Sequence, residues 1–177
     1  MKKLFLYALI PLAVAGCNVG LKADDPNGPQ PKFQLEQLES SSIEEATAQA
    51  IKDVQKRAPW LFKDQNNFVI GSALNQADYS KTYQTGRSIG AHLTRAIAAK
   101  KRARHVHFRE NMIRVQPDLQ GYIGVSEEAT NFAQRIGADT LVVSSYEVDG
   151  SIITVHLNFI RAIDNYPLVQ HSYQLYA

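Results

Sequence analysis

The C-terminal third of the chain constrains the fold most, because apolar and polar residues alternate there around a strong turn signal. The dipeptide Asp149-Gly150 is typical of two-residue hairpin turns. The strand before the turn opens at Leu141 and reaches Val148. One face of the returning strand is formed by Ile153, Val155, Leu157 and Phe159. This period of two predicts an antiparallel sheet with one face buried and the other wet.

A third strand is predicted over residues 168–176, after a turn at Asp164-Asn165. Its last five residues carry no charged side chain. A strand of this kind is poorly protected against pairing with another chain if it forms the edge of a sheet. The candidate assembly residues are Tyr173, Leu175 and Tyr176. Two alternatives stay open: subunit assembly by strand addition, or an edge covered by the N-terminal tether or the first helix.

The first helix is predicted over residues 42–57. Ser42 and Glu45 form a capping box, apolar residues then recur at helical spacing, and Pro59 forbids continuation. A short apolar run at 68–70 predicts a buried strand.

Two further helices are expected before the hairpin. Residues 87–100 carry an apolar stripe, and the third helix starts at its cap Ser126 and ends before Gly137. One or two short strands are expected between Val106 and Val115, with Asn111 as the turn. Together these elements predict an α/β (α+β) fold with a single mixed sheet, helices packed on one face and a C-terminal antiparallel meander.

The N-terminus carries an export signal. Two lysines precede an apolar run from Leu4 to Val14, which is too short for a bilayer core that needs roughly 20 helical residues. The run ends in small residues followed directly by Cys17, an arrangement that looks like the bacterial lipobox. Residues 1–16 are therefore predicted to be removed between Gly16 and Cys17, with Cys17 acylated. Asn18 favours delivery to the outer membrane, with the domain facing the periplasm.

Residues 17–34 are predicted to be the lipidated N-terminus and a flexible tether, and residues 35–177 a single domain. Removal of Lys2 and Lys3 lowers the basic count from 19 to 17, which equals the 17 acidic residues. A mature chain without net charge gives no reason to expect nucleic-acid binding. Cys17 is the only cysteine, so an internal disulfide is excluded.

The segment Gly86-Arg87-Ser88-Ile89-Gly90 matches G-x-S-x-G, the nucleophile elbow of hydrolases. That motif requires a strand leading directly into the turn, whereas a polar stretch precedes Gly86. A helix start, with Gly90 allowing close packing, is the favoured interpretation, and an esterase using Ser88 is the enzyme alternative. We therefore expect no enzymatic activity.

Two other clusters were considered as sites. His105 and His107 would point to one strand face, but no third ligand is placed, so no metal and no cofactor is expected. The basic stretch from Lys100 to Arg109 is either an anion-binding patch or a set of cations at a helix C-terminus and on a solvated strand edge. The second interpretation is favoured.

Several short segments carry a family resemblance. They are Ser88-Ile89-Gly90, Arg135-Ile136-Gly137-Ala138-Asp139 within Glu128 to Leu141, Ser145-Tyr146, and Ile160-Arg161. From about Ile43 to Leu175 the chain resembles the FlgO family of flagellar outer-membrane lipoproteins. The motifs are partly shared with periplasmic α/β modules similar to the N-terminal domain of TolB.

The resemblance implies a non-enzymatic outer-membrane lipoprotein that stabilises or assembles a ring at the outer-membrane end of the flagellar basal body. Its expected partners are outer-membrane lipid, other ring proteins and further copies of itself. The alternative is an envelope lipoprotein of related fold that activates or adapts periplasmic cell-wall machinery, such as a peptidoglycan synthase. The short tether argues against that alternative, because such a module must reach across the periplasm.

Overall fold

A computed structural model describes residues 40–63, 65–80, 82–108, 112–115 and 123–176. The predicted signal peptide, Cys17 and the tether lie outside these residues. The helices are α1 (Ser40–Arg57), α2 (Gln84–Ala98) and α3 (Glu127–Arg135), with a 3-10 helix over Pro59–Phe62. The strands are β1 (Phe68–Gly71), β2 (Leu74–Asn75), β3 (Ala103–Val106), β4 (Ile113–Val115), β5 (Ile123–Val125), β6 (Thr140–Asp149), β7 (Ile152–Arg161) and β8 (Pro167–Tyr176). No helix within the described ranges has both the length and the hydrophobicity to cross a membrane.

The main sheet is mixed and has the strand order β3-β1-β6-β7-β8, with β2 also paired to β6. β1 runs parallel to β3 and β6, whereas β6, β7 and β8 form an antiparallel meander. β4 and β5 form a separate antiparallel pair. The predicted α/β fold class with a C-terminal meander is confirmed. The two edges of the main sheet are β3 and β8.

The hairpin predicted at Asp149-Gly150 is confirmed. Asp149 pairs with Ile152 across a two-residue turn, and Gly150 has a φ of 58°. A positive φ at the first central residue is typical of a type II′ turn, which matches the twist of the flanking strands. The next turn contains Asn165 at a φ of 59°, a conformation that asparagine tolerates better than most residues.

One face of the sheet packs against α1 and α2. The alternating residues Val155, Leu157 and Phe159 point to this side and are almost fully buried. α1 contributes Ile43, Ile51 and Val54, and α2 contributes Ile89, Leu93 and Ile97. The apolar stripes of α1 and α2 and the apolar face of the meander therefore form one core, as the sequence predicted.

The opposite face is only partly wet, which corrects the expectation of a single covered face. α3 and β5 cover the part of the sheet formed by β1 and by the first residues of β6. Val69, Leu141 and Val143 point to this second core. A strand that is buried on both faces reads as a continuous apolar run, which is why Leu141-Val142-Val143 does not alternate.

Several boundaries differ from those predicted. α1 begins at Ser40, so Ser42 lies inside the helix and cannot be its N-cap. Its end is as predicted, because Pro59 opens a 3-10 turn instead of continuing α1. α2 is displaced toward the N-terminus of the chain, to Gln84–Ala98. Asn111, the expected turn residue, lies outside the described residues.

The limits of α3 are confirmed in detail. The Ser126 hydroxyl oxygen accepts a hydrogen bond from the Ala129 N–H at 3.4 Å, which satisfies one of the free donors of the first turn. Gly137 follows the helix with a φ of 70°, the left-handed conformation that ends many helices.

Candidate functional site

β8 forms one edge of the main sheet, and the three residues predicted for assembly divide between its faces. Leu175 is only 2% exposed and belongs to the core under α1. Tyr173 points to the same side, with its hydroxyl 3.1 Å from the Thr47 hydroxyl. Tyr176 points to the other side and is 62% exposed. Pairing at this edge would therefore depend on the backbone of β8 more than on these side chains.

The direction of the β8 backbone groups follows from the neighbouring hairpin. Asp149 and Ile152 close a two-residue turn, so this pair exchanges both backbone hydrogen bonds. Hydrogen-bonded pairs alternate along each antiparallel ladder. The residues of β7 that do not bond to β6, such as Val155 and Leu157, therefore direct their N–H and C=O groups toward β8, where they pair with Tyr173 and His171. The residues of β8 between these pairs, Gln170, Ser172 and Gln174, direct their N–H and C=O groups away from β7. Within the part of the chain that the structure describes, β8 pairs with β7 alone.

The two edges of the sheet differ in length and charge. β3 has four residues and carries an exposed Arg104, and Arg102 directly precedes the strand. β8 has ten residues and contains no Asp, Glu, Lys or Arg. Short, charged edges resist pairing with other chains, whereas long, uncharged edges invite it. Within the described ranges, β8 is thus the edge that is better suited to accept an added strand.

α1 lies against one face of β8. The Arg57 guanidinium donates a hydrogen bond to Nδ1 of His171, and Thr47 meets Tyr173 further along the strand. Burial, and then the nearby Arg57 charge, lower the pKa of His171. Burial raises the pKa of Tyr173 to about 12, although its hydrogen bond with Thr47 opposes the rise. This face of the edge strand is consequently covered by α1, fully at Leu175 and partly at His171 and Tyr173.

The opposite face of the meander carries a polar line that the sequence analysis did not find. His156 Nδ1 lies 2.9 Å from the Ser172 hydroxyl, and its Nε2 lies 3.6 Å from the Glu147 carboxylate. The order acid, histidine and serine is that of a nucleophilic triad. However, Glu147 is 54% exposed on an open sheet face, where water competes for each group. Nucleophile activation relies on a water-excluded site, so we interpret the line as a surface hydrogen-bond network.

The G-x-S-x-G segment has a packing explanation. Ser88 lies within α2, so it does not occupy the strand-to-helix elbow that the nucleophile motif requires. A Cβ at Gly86 would lie 1.8 Å from the backbone oxygen of Ala73. A Cβ at Gly90 would lie 2.9 Å from the Gly71 oxygen and 2.7 Å from the His105 ring. Gly90 allows α2 to approach β1 closely, as predicted from the sequence, and Gly86 allows it to approach the backbone between β1 and β2.

The two histidines of the H-x-H pair do meet on one side of β3. Nε2 of His105 lies 3.2 Å and Nδ1 of His107 lies 2.9 Å from the Ser72 hydroxyl. Burial and the neighbouring His107 lower the pKa of His105. No group of three or more His, Cys, Asp or Glu among the described residues is arranged to hold a metal ion. The buried Ser72 hydroxyl thus gives both rings a hydrogen-bonding partner.

The basic stretch divides between a helix end and a strand edge. Lys100 and Lys101 directly follow α2, where cations complement the helix dipole. Arg102 and Arg104 border an open cleft of about 420 Å³, which is also lined by Asn67 and by Ile136 to Ala138 after α3. The carboxyl end of α3 brings partial negative charge to this cleft, which weakens the attraction of the two arginines for an anion.

The comparisons with known proteins support a lipoprotein of a known fold. The family described as prokaryotic membrane lipoprotein lipid attachment site matches residues 1–18. The LpoB C-terminal domain from Escherichia coli has a TM-score of 0.51 at 10% identity, over 76% of this chain and 98% of that domain. The corresponding domain from Salmonella enterica has a TM-score of 0.52 at 10% identity, with the same coverage.

A PelC dodecamer from Paraburkholderia phytofirmans is similar at a TM-score of 0.43 and 12% identity, over 63% of this chain and 71% of that chain. No curated protein sequence matches this chain. The chain therefore carries a lipid attachment site and an α/β domain with the LpoB C-terminal fold.

Proposed function

We propose that this chain is a lipid-anchored, non-enzymatic adaptor or activator of periplasmic cell-wall machinery. The observation that carries the proposal is the combination of a lipid attachment site with a domain of the LpoB fold that spans 98% of the LpoB domain. A lipoprotein of related fold acting on a peptidoglycan synthase is one of the two roles set out in Sequence analysis. Acylation at Cys17 and delivery to the periplasmic face of the outer membrane are part of the proposal.

The reach of the anchor limits where such a partner can be. From Cys17 to Ser40 the chain makes 23 residue-to-residue steps. A chain of this length spans at most about 80 Å when fully extended. The partner must therefore present its contact surface within that distance of the outer membrane. Deletion of residues 22–34 should abolish function in cells, whereas an inserted Gly-Ser segment of equal length should preserve it.

The flagellar role is the second candidate. It rests on the resemblance carried by the segments around Ser88, Arg135 and Ser145, and the similarity to LpoB favours the cell-wall role over it. Assembly with further copies also remains a proposal, which sedimentation of the mature chain in detergent would test.

Deletion of the gene separates the two candidates. For the cell-wall role we expect greater sensitivity to cell-wall antibiotics and detergents with normal swimming. The wild-type gene should restore resistance, and the Cys17→Ser variant should fail to do so. Loss of swimming with an intact envelope would contradict the cell-wall role and support the flagellar role. A deletion strain that is normal in both respects would exclude both roles.

A further inference from the structure

We propose that the outer edge of β8 accepts an extended segment of a partner protein as an added strand, with α1 lying above it. The inference rests on the proposed adaptor role, for which it names the contact surface. It starts from the outward N–H and C=O groups of Gln170, Ser172 and Gln174. A strand added there would form a regular backbone ladder, which gives affinity without a deep pocket.

The position of α1 selects a single strand over a second copy of the whole domain. α1 packs on β8 through Thr47 with Tyr173 and through Arg57 with His171. In a continuous sheet of two copies, the two β8 strands would lie about 4.8 Å apart. Each strand carries its own α1, but two packed helices need about 8 to 10 Å between their axes. A bare strand has no helix of its own and avoids this clash.

The side of α1 that borders the edge predicts the side chains of the incoming segment. Arg57 contacts β8, and helical spacing places Ala46, Ala50 and Asp53 on the same stripe. The other side of α1 faces α2, since Glu44 pairs with Arg95 at 3.8 Å. Ala50 is only 2% exposed and belongs to the core, so Ala46 is the alanine that borders the edge. Asp53 and Arg57 already pair with Lys56 and His171. We therefore infer an uncharged segment with small apolar residues toward α1.

The opposite face of the added strand would continue the polar face of the meander. Gln170, Ser172 and Gln174 are exposed there. Amide and hydroxyl side chains pair well with other uncharged polar groups across neighbouring strands. The inferred segment consequently alternates small apolar residues with uncharged polar ones. A charged segment would lose solvation without gaining an opposite charge from β8.

A strand probe tests the edge directly. The probe is a fluorescein-labelled nine-residue peptide that alternates alanine with glutamine or threonine, capped at both ends and added to the mature lipidated chain in detergent. The receptor variant Gln174→Pro removes one outward N–H, and Gln174→Ala is its control, because it removes the side chain and keeps the N–H. We expect saturable binding to the wild type and to Gln174→Ala, and about fivefold weaker binding to Gln174→Pro.

Hydrogen exchange gives a second readout. The peptide should slow exchange at the amides of Gln170, Ser172 and Gln174 in the wild-type chain. Because proline in a strand can unfold a protein, circular dichroism and thermal unfolding must first show that Gln174→Pro is folded. Gln170→Pro, which removes another outward N–H, replaces it if it is not.

Four results would overturn the inference. They are the absence of saturable binding to the wild type, equal binding by a folded proline variant, binding that appears only after deletion of residues 33–38, and a wild-type dimer that Gln174→Pro dissociates. The third result would make the chain's own N-terminal segment the occupant, and the fourth would make it a second copy.

The inference and the proposed function can fail separately. If Gln174→Pro restores the deletion strain fully and Cys17→Ser does not, the anchored envelope role stands and the β8 contact falls. If deletion leaves the envelope unaffected, the proposed function falls, whatever the peptide result.

Discussion

The hydroxyl groups of Tyr173 and Thr47 lie 3.1 Å apart and join the last strand to the first helix, across 126 positions of the chain. Thr47 is fully buried, so loss of either hydroxyl leaves the other without this partner. We expect Tyr173→Phe and Thr47→Val each to lower the free energy of unfolding by about 1 to 3 kcal/mol. Urea titrations of the two single variants and the double variant measure the coupling. Additive effects in the double variant would contradict the hydrogen bond.

Alkaline pH should destabilise the domain through buried tyrosines. Burial raises the pKa of Tyr173 and of Tyr146 to about 12, from the usual tyrosine value of 10.0. Above pH 10 the unfolded chain loses these protons more readily than the folded one, so stability falls as the pH rises toward 12. Each group contributes a slope of up to about 1.4 kcal/mol per pH unit. Tyr173→Phe should reduce the slope of unfolding free energy against pH, while an unchanged slope would assign it to other groups.

The close approach of α2 to the backbone between β1 and β2 makes Gly86 sensitive to the smallest substitution. The added Cβ of Gly86→Ala would meet the Ala73 backbone oxygen, so either the helix or this connection must move. We expect a loss of about 3 kcal/mol of unfolding free energy, at the upper end of ordinary overpacking costs. Ser88→Ala, on the same helix, is the matched control and should change stability by less than about 0.5 kcal/mol.

The same pair of variants examines the esterase alternative. An active-site serine reagent should label neither the wild type nor Ser88→Ala. Labelling of the wild type that disappears in Ser88→Ala would establish a nucleophile at that position.

Mild acid should also destabilise the domain. The pKa values of His92, His105 and His171 are lowered, in each case mainly by burial. The unfolded chain therefore binds protons that the folded chain resists, and stability falls as the pH drops through and below 6.5. The effect is absent well above pH 6.5, where both states are neutral at these positions.

His92 is the cleanest position at which to test this acid effect. It is buried, and its Nδ1 has no hydrogen-bond partner in the described part of the chain. In urea titrations at pH 7.5, 6.5 and 5.5, His92→Leu should show a smaller loss of stability on acidification than the wild type. An equal loss would place the effect at other groups.

The parts of the fold that the sequence predicted are those fixed by local chemistry. The meander follows from alternation around Asp149-Gly150, and α3 follows from its cap at Ser126 and its stop at Gly137. Each signal lies within a few residues of the structure that it specifies. β3 was predicted only in part. His105 and His107 were expected on a strand face, but the strand was expected to begin at Val106, whereas it spans Ala103–Val106 and pairs with β1, which lies far away in sequence.

The candidate site was predicted only in part for the same reason. The uncharged end of the chain indicated that β8 could pair with another chain. However, its position at the edge of the sheet and its contact with α1 depend on long-range packing. The line from Glu147 through His156 to Ser172 depends on the register of three strands at once. Polar alternation along β7 was the one available signal, and it could not identify the partners of His156.

The difference between the β3 and β8 edges also determines how many strands the sheet can accept from other chains. Polymerisation through sheets requires two reactive ends on each unit, one to receive and one to extend. Among the described residues, the sheet has one long uncharged edge, β8, because the other edge, β3, is short and carries arginine. After a strand has been added to β8, the remaining edge of the main sheet is β3, which is poorly suited to pair with another molecule. If β8 accepts a strand as proposed, we therefore expect a finite one-to-one contact without fibre growth along the sheet.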